Sequence, residues 1–160
     1  LHVNQLDYLE LGGGAQASVG ELAGTELAIK AGGAADVNFG KLTLDKVTVD
    51  VSGASDVSIK TAAVGEQFYE ISGASHVGIK NVSSSEFLKV NASGASKFRG
   101  HKIIAKQADI KVSGASYASA TVTETLRADA CGASKIDYYG NPQTTNTATG
   151  ASSINARTGN

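Results

Sequence analysis

Ser52-Gly53-Ala54-Ser55-Asp56-Val57-Ser58-Ile59 is answered twenty residues later by Ser72-Gly73-Ala74-Ser75-His76-Val77-Gly78-Ile79. The opening word returns as Ser93-Gly94-Ala95-Ser96 and Ser113-Gly114-Ala115-Ser116, then in altered form as Cys131-Gly132-Ala133-Ser134 and Thr149-Gly150-Ala151-Ser152. Gly32-Gly33-Ala34-Ala35 and a blurred Gly13-Gly14-Ala15-Gln16 precede them. Counting through Gly14, Gly33, Gly53, Gly73, Gly94, Gly114, Gly132 and Gly150 gives steps of 19, 20, 20, 21, 20, 18 and 18. A short unit repeated at near-constant length cannot bury its apolar face alone, so it stacks on its neighbours as a solenoid.

Aligned on the glycine, the repeats form columns. Two residues before it stand Ala31, Val51, Ile71, Ala92, Val112, Ala130 and Ala148, and four before stand Ile29, Val49, Tyr69, Val90, Ile110 and Ala128, with Asn146 as the exception. Alternate positions are mostly polar, which is the period of a strand with one buried face. Apolar columns resume four and six residues after the glycine, as in Val57/Ile59 and Val77/Ile79. The unit therefore reads as strand, Gly-Ala-Ser corner, strand and a variable return segment, often with a third alternating stretch such as Leu42-Thr43-Leu44. Glycine permits the turn, alanine is expected to fit a narrow interior, and the serines to form a hydrogen-bonded ladder.

These features predict an all-β, single-domain, single-stranded parallel β-helix over residues 1–160, with about eight coils of 18–21 residues. At about 4.8 Å per coil the rod is about 35–40 Å long. Blades of about 40 residues make a propeller a poor competitor, whereas a sandwich of regular short strands remains an alternative. The 19 Gly, absence of Trp and Met, and 6% aromatic content suit a thin interior. A net charge of −1 argues against a broad nucleic-acid surface. No apolar run approaches the roughly 20 residues of a membrane-spanning helix. Cys131, the single cysteine, stands in a serine column and is expected to be a small buried substitute. The stretch 141–147 reads as a loop, and the final coil closes after Arg157.

The pattern at Ser52–Ile59 and Ser72–Ile79 resembles the putative auto-transporter adhesin, head GIN domain family. So does the ending Ile136-Asp137-Tyr138-Tyr139-Gly140-Asn141-Pro142, followed by Thr149-Gly150-Ala151-Ser152-Ser153-Ile154. The resemblance implies a right-handed single-stranded β-helix and an extracytoplasmic protein, secreted or envelope-anchored, whose export signal lies upstream of Leu1 and is absent from the sequence shown. It supplies no catalytic or binding residues. The first coil, around Gly14, departs from the pattern and is a candidate cap for an otherwise open end.

Function would reside in the outward columns. Three residues after the glycine these read Asp36, Asp56, His76, Lys97, Tyr117, Lys135 and Ser153. Five after come Asn38, Ser58, Gly78, Arg99, Ser119, Asp137 and Asn155, and seven after come Gly40, Lys60, Lys80, His101, Thr121, Tyr139 and Arg157. The candidate binding residues are Asp56, His76, Lys97, Arg99, Tyr117 and Tyr139, with the tyrosines as stacking platforms for a glycan. A solvated face that keeps the rod soluble uses the same residues.

Catalysis finds less support. Asp56 beside His76 resembles a tuned base without a nucleophile or second acid. Asp36 and Asp56 fall about 5 Å apart by strand spacing, the separation of a retaining glycosidase pair, on a flat face without a cleft. The six-fold serine ladder lacks the one special serine a nucleophile needs, and His2, His76 and His101 follow no metal-ligand spacing. The expectation is a non-enzymatic surface scaffold or adhesin-like binding module without cofactor or metal, the alternative being a carbohydrate-active lyase or hydrolase. Surface glycans or proteins are the expected partners, nucleic acid is not, and self-association through ends or faces is compatible with the architecture.

Overall fold

A computed structural model describes residues 6–158. Its strands are β1 (Tyr8–Leu11), β2 (Gln16–Ala23), β3 (Glu26–Ala31), β4 (Asp36–Val51), β5 (Asp56–Ile71) and β6 (His76–Ile79). They continue as β7 (Ser83–Ala92), β8 (Lys97–Val112), β9 (Tyr117–Ala130), β10 (Lys135–Tyr139), β11 (Gln143–Ala148) and β12 (Ser153–Arg157). All pairings are parallel and step by one coil: Asp36 pairs with Asp56, Asp56 with His76, His76 with Lys97, and Lys97 with Tyr117. The chain is a β-solenoid of about eight turns.

Each coil has three walls, so the third alternating stretch is real. Val57 and Ile59 point inward from the first wall, Ala62 and Val64 from the second, and Gln67, Tyr69 and Ile71 from the third. Residues at −4, −2, +4 and +6 relative to the corner glycine are buried through most of the rod. Where +6 is Gly100, the Phe98 ring takes the vacated space: a Cβ on Gly100 would lie 2.3 Å from Phe98 Cε1. Phe98 in turn packs against Tyr69 with ring centroids 4.8 Å apart.

The corner has a different orientation from the one its composition suggests. Ala54, Ala74, Ala95, Ala115 and Ala133 are exposed, whereas Ser55, Ser75, Ser96, Ser116 and Ser134 are buried. The alanine contributes its backbone: Ala74 N–H donates to Gly53 O at 2.8 Å. The serine hydroxyl folds inward to satisfy carbonyls that the turn leaves unpaired. Ser96 Oγ donates to Ser93 O at 2.8 Å and lies 3.3 Å from Ser116 Oγ. Buried backbone acceptors need such partners, so a hydroxyl is preferred to a methyl group at this inward position. The serine ladder thus holds as expected, and the alanine does not line the core.

Three further expectations change. The first corner is Gly13, which has φ 68°, and not Gly14. The stretch 143–147 lies in β11, which pairs with β9, although all six β11 residues are exposed. That strand forms one wall of the last described coil, with Thr144 and Asn146 at its inward positions, in register with Leu126 and Ala128. Cys131 is exposed, because the first residue of the word faces outward where the serine three places later faces in. His2, counted among the histidines, lies outside the described residues. The first coil contributes Leu9, Leu11, Ala17 and Val19, which pack partly buried against the core.

Candidate functional site

Regular stacking puts the +3, +5 and +7 columns side by side on one wall. The structure reproduces the first two without slippage: Asp36–Asp56–His76–Lys97–Tyr117–Lys135–Ser153 and Asn38–Ser58–Gly78–Arg99–Ser119–Asp137–Asn155. The +7 column is interrupted after Gly100, where β8 bulges and Thr121 comes into register with Ile104. Thr121 keeps contact with the bulge by donating from Oγ1 to His101 O at 2.8 Å.

The wall divides into two neighbourhoods. Toward the N-terminal side, Asp36, Asn38, Asp56, His76, Arg99 and His101 border a shallow open groove of about 460 Å³, with Gly78 and Lys80. Asp36 accepts from Asn38 Nδ2 at 3.0 Å. Asp56 and His76 are register neighbours, but the carboxylate does not dominate the imidazole. Partial burial pushes the His76 pKa down, and Arg99 and Lys97 push the same way against Asp56. His101 is likewise held below its ordinary value by burial, then by Lys102 and Arg99. Burial and the neighbouring cations thus favour the neutral form of both imidazoles.

Toward the C-terminal side the centre is Asp137, whose side chain is only 8% exposed. Tyr117 donates its hydroxyl to Asp137 Oδ2 at 3.2 Å, and Asn155 Nδ2 donates to Oδ1 at 3.2 Å. Arg157 reaches Oδ1 through Nε at 3.2 Å, and Lys135 Nζ lies 3.4 Å from Oδ2. Burial would raise the Asp137 pKa, but Arg157, Asn155, Lys135 and Tyr117 together outweigh it and hold the carboxyl below its usual range. This is a clasp across three coils, joining β9, β10 and β12.

The six candidate residues do not converge. Asp56, His76 and Arg99 meet at the groove, and Lys97 stacks on His76 beside it. Tyr117 is committed to Asp137, and half-buried, so its ring is not a free platform. Tyr139 does not border the groove itself but packs near His101 at its edge, with ring centroids 6.3 Å apart. Asp137 and Arg157 appeared in the outward columns without being singled out. Their signal was local: Lys135 and Asp137 lie directly beneath Ser153 and Asn155, with Arg157 two places further on.

The architecture is shared with solved proteins. A crystal structure of a putative adhesin from Parabacteroides merdae superposes with a TM-score of 0.91 at 18% identity, covering 96% of this chain and 64% of that one. A putative adhesin from Parabacteroides distasonis gives 0.91 at 21% identity, covering 95% and 64%. A putative lipid binding protein from the same organism gives 0.89 at 18% identity, covering 96% and 62%. At such identities the likeness is one of fold, and the chain spans less than two thirds of each neighbour's length. Comparison with curated proteins returns no match. Over residues 1–142 the sequence matches the family described as putative auto-transporter adhesin, head GIN domain, and the chain belongs to that family.

Proposed function

We propose that this chain is a non-enzymatic, extracytoplasmic scaffold that binds a surface ligand through one lateral wall. The observation that carries the reading is the stacked outward columns, which assemble a groove from side chains the rod does not need for its own packing. Corners and core are committed to the solenoid, whereas Asp56, His76, Lys97 and Arg99 vary from coil to coil along one wall. Family membership and two adhesin neighbours support a surface role.

The rival is a sugar-cleaving enzyme, since Asp36 and Asp56 are direct register partners beside the groove. An open groove over a flat wall gives little exclusion of water from the pair, which weakens the case for glycosidic chemistry. A glycan array run with a reducing-sugar release assay separates the two. Binding without release supports the scaffold. Release that disappears in Asp36→Asn or Asp56→Asn would overturn it.

A further inference from the structure

Several cations elsewhere on the rod stack between or beside acids, although Asp50 stacks on Glu70. Lys30 lies in register between Glu10 and Asp50, and Lys46 between Glu26 and Glu66. Lys89 neighbours Asp109, and Lys111 neighbours Asp129. Such pairing offsets charge between coils stacked at about 4.8 Å.

The cations of the groove wall lack such partners. His76 is followed by Lys97, and Gly78 by Arg99. Asn81 N–H donates to Lys60 O, which stacks Lys80 on Lys60. In the two coils that begin at His76 and Lys97, five of the six outward positions are His76, Lys80, Lys97, Arg99 and His101; the sixth is Gly78. Lys60, Lys80, Lys97 and Arg99 form no ion pair among the described residues. Gly78 keeps the floor open, since a Cβ there would meet only the His76 ring, at 3.6 Å. A second trough of about 450 Å³ shares Asn38, Ser58 and Lys80 with the first and lengthens it along the rod.

We propose that this groove binds an acidic polysaccharide, with Lys80 and Arg99 holding its carboxylate or sulfate groups while Asp36 and Asp56 accept its hydroxyls. The inference rests on the lateral wall being a binding surface and names its ligand class. The two ends of the groove ask for different chemistry. The cationic end suits an anion, whereas Asp36, Asn38 and Asp56 at the other end suit hydroxyl donors. An acidic peptide or a nucleic acid would bring further negative charge against Asp36 and Asp56. An acidic sugar chain carries both groups.

The imidazoles make the binding acid-enhanced. His76 on β6 faces Asp56 from β5 and Lys97 and Arg99 from β8. His101 on β8 faces Lys102 and Arg99 on its own strand and the Tyr139 ring from β10. Burial favours the neutral form of both, so protonation at lower pH adds positive charge where the anion sits.

The test is titration of the protein with polygalacturonate, chondroitin sulfate and neutral dextran, with polyglutamate and single-stranded DNA as competitors. Both acidic polysaccharides should bind and dextran should not. Lys80→Gln and Arg99→Gln, both at exposed positions, should each weaken binding about tenfold, while Lys111→Gln on another wall should leave it unchanged. Binding should weaken with salt and tighten several-fold as pH falls below the ordinary histidine value of about 6.5, with the pH effect lost in the His76→Gln/His101→Gln double variant. Failure to bind either acidic polymer, binding indifferent to Lys80 and Arg99, or preference for a competitor overturns the ligand class. Retention of a neutral glycan or a protein in those cases would leave the scaffold reading standing, whereas sugar release would overturn the scaffold reading itself.

Discussion

Alanine substitution at three glycines separates the two reasons for a glycine corner. Gly73 has φ 73°, and an added Cβ would sit 2.4 Å from Gly53 O, 3.0 Å from Gly53 N and 3.2 Å from Gly53 C. Left-handed backbone costs an alanine about 1–2 kcal/mol. The clash is with backbone, which a rotamer change cannot relieve. Coils 53 and 73 would have to separate, straining the Ala74 N–H to Gly53 O bond of 2.8 Å. Losing that backbone bond adds about 1–3 kcal/mol, so Gly73→Ala should cost about 2–5 kcal/mol, a large part of a domain's total stability. Gly13 has φ 68° with nothing within 4 Å of its virtual Cβ, so Gly13→Ala carries the backbone term alone, about 1–2 kcal/mol. Gly14 has neither a positive φ nor a neighbour within 4 Å, and Gly14→Ala should be neutral or stabilising by about 0.5 kcal/mol. Urea unfolding followed by circular dichroism measures Gly73→Ala. Hydrogen exchange at Ala34, whose N–H bonds Gly13 O, measures the two terminal variants. Equal costs at Gly13 and Gly73 would refute the role given to coil contact, and a costly Gly14→Ala would return the corner to that residue.

Three other perturbations probe the interior and the clasp. Ser96→Ala should destabilise by about 1–3 kcal/mol through unsatisfied buried groups, whereas Ala95→Ser at the exposed neighbour should stay within about 0.5 kcal/mol; denaturant melts compare them. The Asp137 carboxylate is favoured in the folded state, so its contribution is fully present above its unfolded pKa and is lost as pH falls through its lower folded value. Thermal melts of wild type and Asp137→Asn should accordingly differ at neutral pH and converge in strong acid, with the loss first seen as proteolytic clipping in 143–157. Tyr69 donates to Gln67 Oε1 at 2.8 Å in the core, and burial drives its phenol pKa far up. Of the five tyrosines, Tyr69 should therefore ionise only on alkaline unfolding, read as a delayed step in phenolate absorbance that Tyr69→Phe removes.

The coil count, the parallel stacking and the register of the outward columns were legible because period and spacing survive without three-dimensional detail. The corner was misread at one step. Buried positions run at −4, −2, +4 and +6 from the glycine, and the same even phase continued through the turn puts serine at +2 inside and alanine at +1 outside. Placing the alanine in the interior runs against that phase. In a wide core that choice would usually be safe. At a β-helix corner the turn leaves carbonyls facing inward, and the local demand for a donor exceeds the benefit of one buried methyl group. At the first coil three adjacent glycines, Gly12, Gly13 and Gly14, offer three possible corners, and the positive φ falls at Gly13, one regular step of 20 before Gly33.

The outward wall yields to a different rule. Within a single strand, Lys97-Phe98-Arg99 reads as an ordinary alternating segment, and so does His76-Val77-Gly78. What distinguishes them is the identity of the residue one coil away, which determines whether a charge is neutralised or reinforced. Asp137 shows the first case: its neighbours from adjacent coils supply donors, and the product is a closed, internally satisfied clasp. Lys60, Lys80, Lys97 and Arg99 show the second, because stacking places Lys80 on Lys60, Lys97 on the His76 imidazole and Arg99 on Gly78, and none of the four meets an acid in an ion pair among the described residues. A rod selected only for solubility gains nothing from such a block, since opposite-charge stacking, as at Lys46 between Glu26 and Glu66, supplies surface charge without repulsion. Cations stacked without acid partners beside an open groove, more than the charge itself, mark this wall as the place where a ligand completes the electrostatics.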